Sequence, residues 1–534
     1  MTGTIQILLL MLAVLVAVAI VARRLNIAPS ILLVVAGVAL ALVPGLPRVE
    51  LAPEFVLLVV LPPLIYSAGV SMSWREFRFN LRPITLLAVG CVIFTAGAVA
   101  ATTHWLLGCP WPIGFLLGAI VAPPDVVAPL AIARRLNLPH RLEVILEGEG
   151  LVNDATALIL YRFAVVAIST GAFSLAQATG TFALIVVGEI AYGIAVGWAS
   201  LRVRRWADDP RVEITLSLMT PYLAYWVPEH LGGSGVLATV AAGLYVSWRG
   251  PLLIQAATRL QGIFFWDLII YLIEGMVFLV MGLQARTLVE RMADFSVREV
   301  LFATLLTTLV VIAARFIWMF PATYLPRWLI PAVARRDPSP SWTYPFALAF
   351  TGVRGVVSLA AALAIPFTLA NGAPFPYRDF ILFITFGVII LTLVGIGLLL
   401  PPVMRALGLA HGGLEERERA KEAEHVARQR VLDRARKRLE EYIKACDVSE
   451  DVARQLRGRY EWRLHQLPKP EDGDAAAEEV ELRLELIEAE RQFLHELLRE
   501  GHLTDESRRR LERELDLEEA YLSMRTESRP DLPL

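Results

Sequence analysis

Apolar runs of 17 or more residues recur through the first three quarters of the chain and then stop. Residues 1 to about 408 are built from them, and residues 411–534 contain none. A helix of about 20 mostly apolar residues crosses a bilayer. The pattern therefore predicts thirteen spanning segments, near 4–22, 29–45, 53–71, 83–106, 112–131, 142–168, 178–201, 212–227, 232–248, 262–285, 297–325, 342–367 and 379–408. The pair 212–227 and 232–248 is short and is split by Pro228-Glu229-His230. Segments approaching 27 residues imply tilt or an exposed end.

The tail follows a different pattern. Glu415 to Ala445 is rich in Glu, Arg, Ala and Leu, and Glu478 to Glu500 repeats Leu at helical spacing. Pro468, Pro470 and Gly473 separate the two halves. The expectation is a membrane domain over residues 1–410 and a charged helical domain over 411–534.

Composition sharpens this division. The chain is 56% hydrophobic and its mean hydropathy is +0.56. The tail carries 24 Lys/Arg and 32 Asp/Glu, a net of −8; the remainder carries 26 and 20, a net of +6. The overall −2 thus conceals two solvents, lipid and water. Cys91, Cys109 and Cys446 show no paired spacing, so neither a disulfide framework nor a zinc pattern is expected. No basic region precedes the first apolar run, and Arg23-Arg24 follow it, which reads as a retained first helix.

Orientation follows from the loops. With the N-terminus outside, the inner loops hold Arg23, Arg24, Arg75, Arg78, Arg82, Arg134, Arg135, Arg141, Arg202, Arg204, Arg205, Arg211, Arg249, Arg259, Arg327, Arg335 and Arg336. The outer loops hold Arg48, Arg286, Arg291, Arg298 and Arg378. Basic residues concentrate on the cytoplasmic side, so the tail is expected in the cytoplasm and the protein in the plasma (inner) membrane.

Ionisable side chains in mid-membrane are costly and mark functional sites. Asp154 lies 12 residues into its segment, about 18 Å deep at 1.5 Å per residue. Asp125 lies nine residues before Arg134, about 14 Å from the same edge. Two carboxylates from consecutive segments can therefore share one depth. Glu149 lies about one and a half turns below Asp154, and Asn153 shares its face. Gly150, four residues before Asp154, is expected to leave room for an ion.

Asp125 sits within Ala122-Pro123-Pro124-Asp125-Val126-Val127-Ala128-Pro129. The prolines remove backbone donors and break the helix. Such a break is tolerated at membrane depth where it lines a cavity or is buried in protein. Thr351-Gly352-Val353-Arg354-Gly355 is a second weak point. Two interrupted segments, one in each half, indicate crossing unwound helices in an inverted-repeat transporter, with freed carbonyls and half-helix ends facing a cation. Arg354 would offset the acidic cluster or the exposed carbonyls. Arg162 and Arg315 also fall within apolar segments; Arg162, two turns above Asp154, reads as a snorkelling or helix-packing residue or as a partner of a site carboxylate, and the sequence gives Arg315 no role. Glu189 and Glu274 are mid-segment as well, and read as hydrogen-bonding groups at a dimer contact.

Gly118-Ala-Ile-Val-Ala-Pro-Pro-Asp-Val-Val-Ala, Glu147-Gly-Glu-Gly-Leu-Val-Asn-Asp-Ala-Thr-Ala-Leu and Gly352-Val-Arg-Gly-Val-Val-Ser-Leu resemble the signature segments of sodium/proton exchangers of the monovalent cation:proton antiporter superfamily. The resemblance covers most of residues 1–408. It implies an all-α polytopic membrane fold with about 13 transmembrane helices and a homodimer. Each protomer would have a dimerisation part and a core part that moves like an elevator.

By position, the resemblance makes Asp154 the essential ion and proton carboxylate and Asp125 the aspartate of the unwound helix. Glu149 becomes a further cation-site carboxylate, Asn153 the partner asparagine, and Arg354 the buried arginine of the second unwound helix. The Asn153-Asp154 pair resembles the branch for which one-for-one, electroneutral exchange is implied. The chain departs from the family at three points. Pro124-Asp125-Val126 stands for Thr-Asp-Pro, leaving the Pro124 carbonyl as the ligand. Gly148-Glu149-Gly150 stands for Gly-Glu-Ser. Tyr66-Ser67-Ala68-Gly69 stands for Phe-Glu-Ala-Gly, which removes a carboxylate that can pair with the buried arginine. Glu149 is then the expected partner of Arg354.

The expected function is secondary antiport of Na+ (or K+ or Li+) against H+. A desolvated carboxylate resists ionisation and a bound cation favours the ionised form, so the two compete. The tail shows no nucleotide-binding motif, so ion gradients must supply the energy. No cofactor and no nucleic-acid partner is expected. The alternatives are another ion-coupled carrier or an intramembrane hydrolase. The latter needs a paired catalytic aspartate or a Ser/His set, and neither stands at suitable spacing.

Overall fold

Nearly every apolar run becomes a helix, and the helices end where the sequence places Pro, Gly or arginine clusters. The structure is a computed structural model that describes residues 2–25, 27–44, 52–171, 175–207, 209–291, 296–369, 372–445, 449–465, 473–499 and 505–527. Arg48, Cys446, Pro468, Pro470 and His502 lie outside the described residues.

In chain order the first unit holds α1 (Thr2–Leu25), α2 (Pro29–Ala41), α3 (Pro53–Ser71) and α4 (Leu81–Leu107). Next come α5 (Trp111–Val121), α6 (Val127–Arg135), α7 (His140–Thr170) and α8 (Leu175–Arg204). They are followed by α9 (Pro210–His230), α10 (Val236–Leu253), α11 (Ala256–Arg291) and α12 (Val297–Leu329). The unit closes with α13 (Thr343–Phe350), α14 (Val356–Leu363) and α15 (Arg378–Ala406). No strand is found among the described residues; one isolated bridge joins Thr368 and Pro374. Nine of the described helices are long and apolar enough to cross a membrane. The remaining segments are shorter, more polar or broken: α2, α9, and the half-helix pairs α5/α6 and α13/α14.

Large side chains such as Leu184, Val187, Phe264 and Leu309 point outward and are exposed. In water such faces would be a liability, but in lipid they are the solvated surface. Trp105, Trp206, Trp248 and Trp328 are exposed near helix ends, as in the aromatic belts of membrane proteins. Because lipid gives no hydrophobic drive to helix association, helices meet through small residues. Gly37 of α2 and Gly282 of α11 face each other so closely that a Cβ on either would strike the other backbone. Regular geometry is interrupted by π-helical turns at Val56–Val60, Leu86–Cys91 and Leu391–Ile396. The indole N–H of Trp318 donates to Leu86 O at 2.9 Å, holding α12 to the second of these turns.

The chain divides into two compact units, Met1–Leu414 and Glu415–Leu534. The second unit consists of the later part of α16 (Leu409–Ala445), then α17 (Glu450–His465), α18 (Gly473–Arg499) and α19 (Asp505–Glu527). Val480, Ile487 and Leu494 recur every seven residues on α18 and pack on Leu515 and Leu522 of α19. That spacing is the seam of a two-helix pairing.

Candidate functional site

Two helices break inside the first unit. One stops at Val121 and resumes at Val127; the other stops at Phe350 and resumes at Val356. Pro123 and Pro124 provide no N–H, so carbonyls at the end of α5 lack their helical donors. The two breaks touch. The backbone N–H of Asp125 donates to Val353 O at 2.7 Å. A Cβ on Gly355 would fall on the Asp125 carboxylate, so only glycine lets the breaks close on each other.

The crossing is compensated by sign. Each break ends one half-helix, with partial negative charge on its carbonyls, and begins another, with partial positive charge on its N–H groups. Arg354 serves the carbonyls: it donates to Val121 O at 2.9 Å, Ala122 O at 3.2 Å and Gly352 O at 2.5 Å. Its own N–H is fixed by Thr392 Oγ1 at 3.1 Å. Asp125 serves the N–H side. Its Oδ1 accepts from Val127 N at 3.0 Å, at the start of α6, and its carboxylate lies against Gly355, just ahead of α14.

α7 runs beside the crossing and supplies three polar side chains. Asn153 is fully buried and donates from Nδ2 to Pro124 O at 2.7 Å. Pro124 O, expected as a free ligand, therefore already accepts a hydrogen bond. At the crossing, Asn153 Oδ1 and Asp125 Oδ2 remain buried with no partner among the described residues. Asp154, half-buried on the next position of α7, makes no hydrogen bond or ion pair with any described residue. It is close enough to Asp125 for the two charges to interact. Orphaned buried acceptors cost free energy unless something fills them. A carboxylate pair, an amide oxygen and a carbonyl are hard oxygen donors, suited to a proton or a hard cation.

Glu149 has another task. It is fully buried, and its two oxygens accept from Arg315 of α12 at 2.5 and 2.8 Å. Arg315 is 1% exposed, and its Nε donates to Leu348 O at 3.1 Å. The expected Glu149–Arg354 pair is thus corrected. Arg354 neutralises carbonyls and Glu149 neutralises Arg315. Arg315, for which the sequence alone indicates no role, holds the Glu149 carboxylate bidentately with its fork-shaped guanidinium. Its position at mid-segment was the available signal. The gap expected at Gly150 is also corrected: a Cβ there would meet Val126, whose side chain fills the space.

The other mid-segment groups are placed as follows. Arg162 pairs with Glu229 of α9. Glu189 accepts from Ser234 N at 2.6 Å and Gly235 N at 3.2 Å, capping the start of α10. Glu274 is half-buried, with no hydrogen bond or ion pair among the described residues. Tyr66, in the segment that lost its carboxylate, is buried and accepts from Arg204 at 3.3 Å.

A family model described as sodium/hydrogen exchanger, transmembrane, matches residues 10–406. The chain belongs to the sodium/hydrogen exchanger family. The family is one of transporters, not enzymes. An uncharacterized Na+/H+ exchanger of Mycobacterium tuberculosis is 33% identical over 512 residues, covering 94% of this chain and 93% of that protein. A sodium, potassium, lithium and rubidium/H+ antiporter of Bacillus pumilus is 32% identical over 503 residues, covering 91% of this chain and 73% of its own. The sodium proton antiporter MjNhaP1 of Methanocaldococcus jannaschii, solved at pH 8, shares the fold. Its TM-score is 0.60 at 19% identity, over 76% of this chain and 97% of that one. The crossing, α7 and the Arg315–Glu149 pair all lie within the family match.

Proposed function

We propose that the exchanger swaps a monovalent cation for protons by competition at Asp154 and Asp125, with Asn153 Oδ1 and backbone carbonyls at the crossing completing the cage. Residues 1–410 act as the antiporter domain and 411–534 as a helical cytoplasmic domain. The observation that carries the reading is the set of orphaned acceptors, Asp125 Oδ2 and Asn153 Oδ1, beside an unpaired Asp154. A proton and a cation cancel the same charge at such a site, so each expels the other. With Arg315 offsetting Glu149 and the Arg354 charge offsetting one of the two aspartates, the site loaded with one cation or one proton carries no formal net charge and crosses readily. The empty anionic site does not cross. Exchange then follows from alternating access, electroneutral and one-for-one, in a homodimer of inverted-repeat protomers. The N-terminus faces out and the tail faces the cytoplasm of the plasma membrane. Na+ is the principal substrate. The breadth named for the Bacillus pumilus relative makes K+ and Li+ the alternatives.

Reconstitution into vesicles with a pH gradient tests this. Na+, K+ and Li+ are added in turn and internal pH is followed. Wild type should dissipate the gradient with Na+, and Asp154→Asn should lose at least about 100-fold of the rate, some 2.7 kcal/mol of barrier. A full response from Asp154→Asn, or none from wild type with any of the three ions, would sink the proposal.

A further inference from the structure

Away from the crossing, one carboxylate is surrounded by three arginines. Asp337 Oδ1 accepts from Arg141 at 2.8 Å, and Oδ2 accepts from Arg82 at 2.5 Å and Arg327 at 2.8 Å. Three positive charges against one negative leave a formal surplus of two. Arg336 adds to it, lying 5.8 Å over the Phe79 ring that Arg141 also faces at 5.9 Å. Asp337 lies between α12 and α13, outside the spanning segments. Burial pushes its carboxyl up, but the hydrogen bonds and charges of Arg141 and Arg327 outweigh this and hold it below its ordinary value. One carboxylate already committed to three guanidiniums cannot absorb the remaining charge.

Arg327 is buried, and each of its three guanidinium nitrogens donates within the chain, to Asp337 O, Thr323 O and Asp337 Oδ2. Arg82 and Arg141 differ. Their side chains are 28% and 32% exposed; each gives one nitrogen to Asp337, and Arg141 gives a second, Nε, to Asn80 Oδ1 at 3.2 Å, which leaves Nη2 of Arg141 to face the cleft. Both line an open cleft whose other walls include Leu86, Leu87, Met319, Tyr344 and Leu348. The cleft lies at the ends of spanning segments. Arg82 is the second residue of α4, Arg141 the second of α7, and Arg327 is two residues from the end of α12. This is the level at which phospholipid phosphates meet hydrocarbon. Cationic donors thus stand at head-group depth beside an apolar wall.

We propose that this cleft binds an anionic phospholipid, with its phosphate on Arg82 and Arg141 and an acyl chain against the partly exposed wall formed by Leu86, Ala322 and Tyr344. Guanidinium forks match phosphate oxygens in geometry and charge. The cleft also communicates with the buried pair, because Leu348 lines it while its carbonyl accepts from Arg315. A bound lipid therefore braces α13, the half-helix that leads into the second break.

The test uses the purified full chain in detergent, probed separately with phosphatidylglycerol, phosphatidylcholine and inorganic phosphate. Retention is read by native mass spectrometry and by melting temperature. Wild type should retain and be stabilised by phosphatidylglycerol. The double variant Arg82→Gln/Arg141→Gln, which keeps the Arg327–Asp337 contact, should lose about tenfold or more in affinity. If the double variant does not fold, Arg82→Gln alone is measured the same way and should show a smaller loss in the same direction. Unchanged retention in the variant that folds, or equal retention of phosphatidylcholine by wild type, overturns the proposal. Inorganic phosphate stabilising wild type as well as phosphatidylglycerol does would show a free-anion site and would overturn the lipid assignment.

Discussion

Two acidic positions about one and a half turns apart on α7, Glu149 and Asp154, have opposite fates. Glu149 is sealed, with both oxygens on Arg315 and no exposure. Asp154 is half-buried and unpaired, facing a neighbourhood that includes two orphaned acceptors. The same helix thus carries a fixed charge pair and a site with unused acceptors. A buried ion pair with excellent geometry stabilises one arrangement but binds nothing further. An unpaired carboxylate is costly until a proton or cation arrives. Depth alone does not separate a structural carboxylate from the one proposed for transport in this unit. The availability of a partner does.

The largest expected effect tests the sealed side. Arg315→Leu leaves the Glu149 carboxylate buried and unpaired and should destabilise the protein by about 3–5 kcal/mol. In detergent this appears as loss of folded material or a steep drop in melting temperature. Arg315→Leu/Glu149→Gln should recover most of that stability, because no uncompensated charge remains. If the double variant is as unstable as the single one, Glu149 is not held by Arg315 alone.

A smaller effect is expected where the breaks touch. The φ of Gly355 is ordinary, −143°, so the demand is for space rather than backbone freedom. Gly355→Ala should press on the Asp125 carboxylate and cost about 1–3 kcal/mol. Transport should fall about tenfold or more, measured against the amount of folded protein in vesicles. Wild-type transport by this variant would separate Asp125 from the exchange site.

The smallest effect concerns Asp337, a carboxylate of neither kind because it binds within the chain but stays near the surface. Its value lies below that of the unfolded chain, so its contribution is complete above about pH 4 and is lost as pH falls through the folded value. Asp337→Asn should lower the melting temperature at neutral pH and flatten its decline in acid. A decline identical to that of wild type would show that the three arginines do not hold this carboxylate down.

Much of this was legible in the sequence. Apolar runs located the helices because lipid demands about 20 residues per crossing. The prolines around Asp125 and the glycines around Arg354 located the breaks because backbone chemistry is local. Partners were not legible. Arg315 and Glu149 are 166 residues apart, and nothing in the local pattern of α12 shows which helix it faces. Arg354 was expected to offset either the acidic cluster, through Glu149, or the exposed carbonyls, and three carbonyls at the half-helix ends take it. The gap at Gly150 was an inference from one helix, and Val126 of the neighbouring break fills it. In each case the partner was set by packing between helices that lie far apart in the chain, which no local pattern encodes.

The central claim is that proton and cation share one site at Asp154. The most direct test is the Na+ dependence of exchange in vesicles, measured at a series of pH values on the cation-loading side. Competition predicts that the apparent KM for Na+ rises by about tenfold per unit of acidification in the range where the site is protonated, at constant maximal rate. A maximal rate that falls with acid while KM stays constant would contradict it.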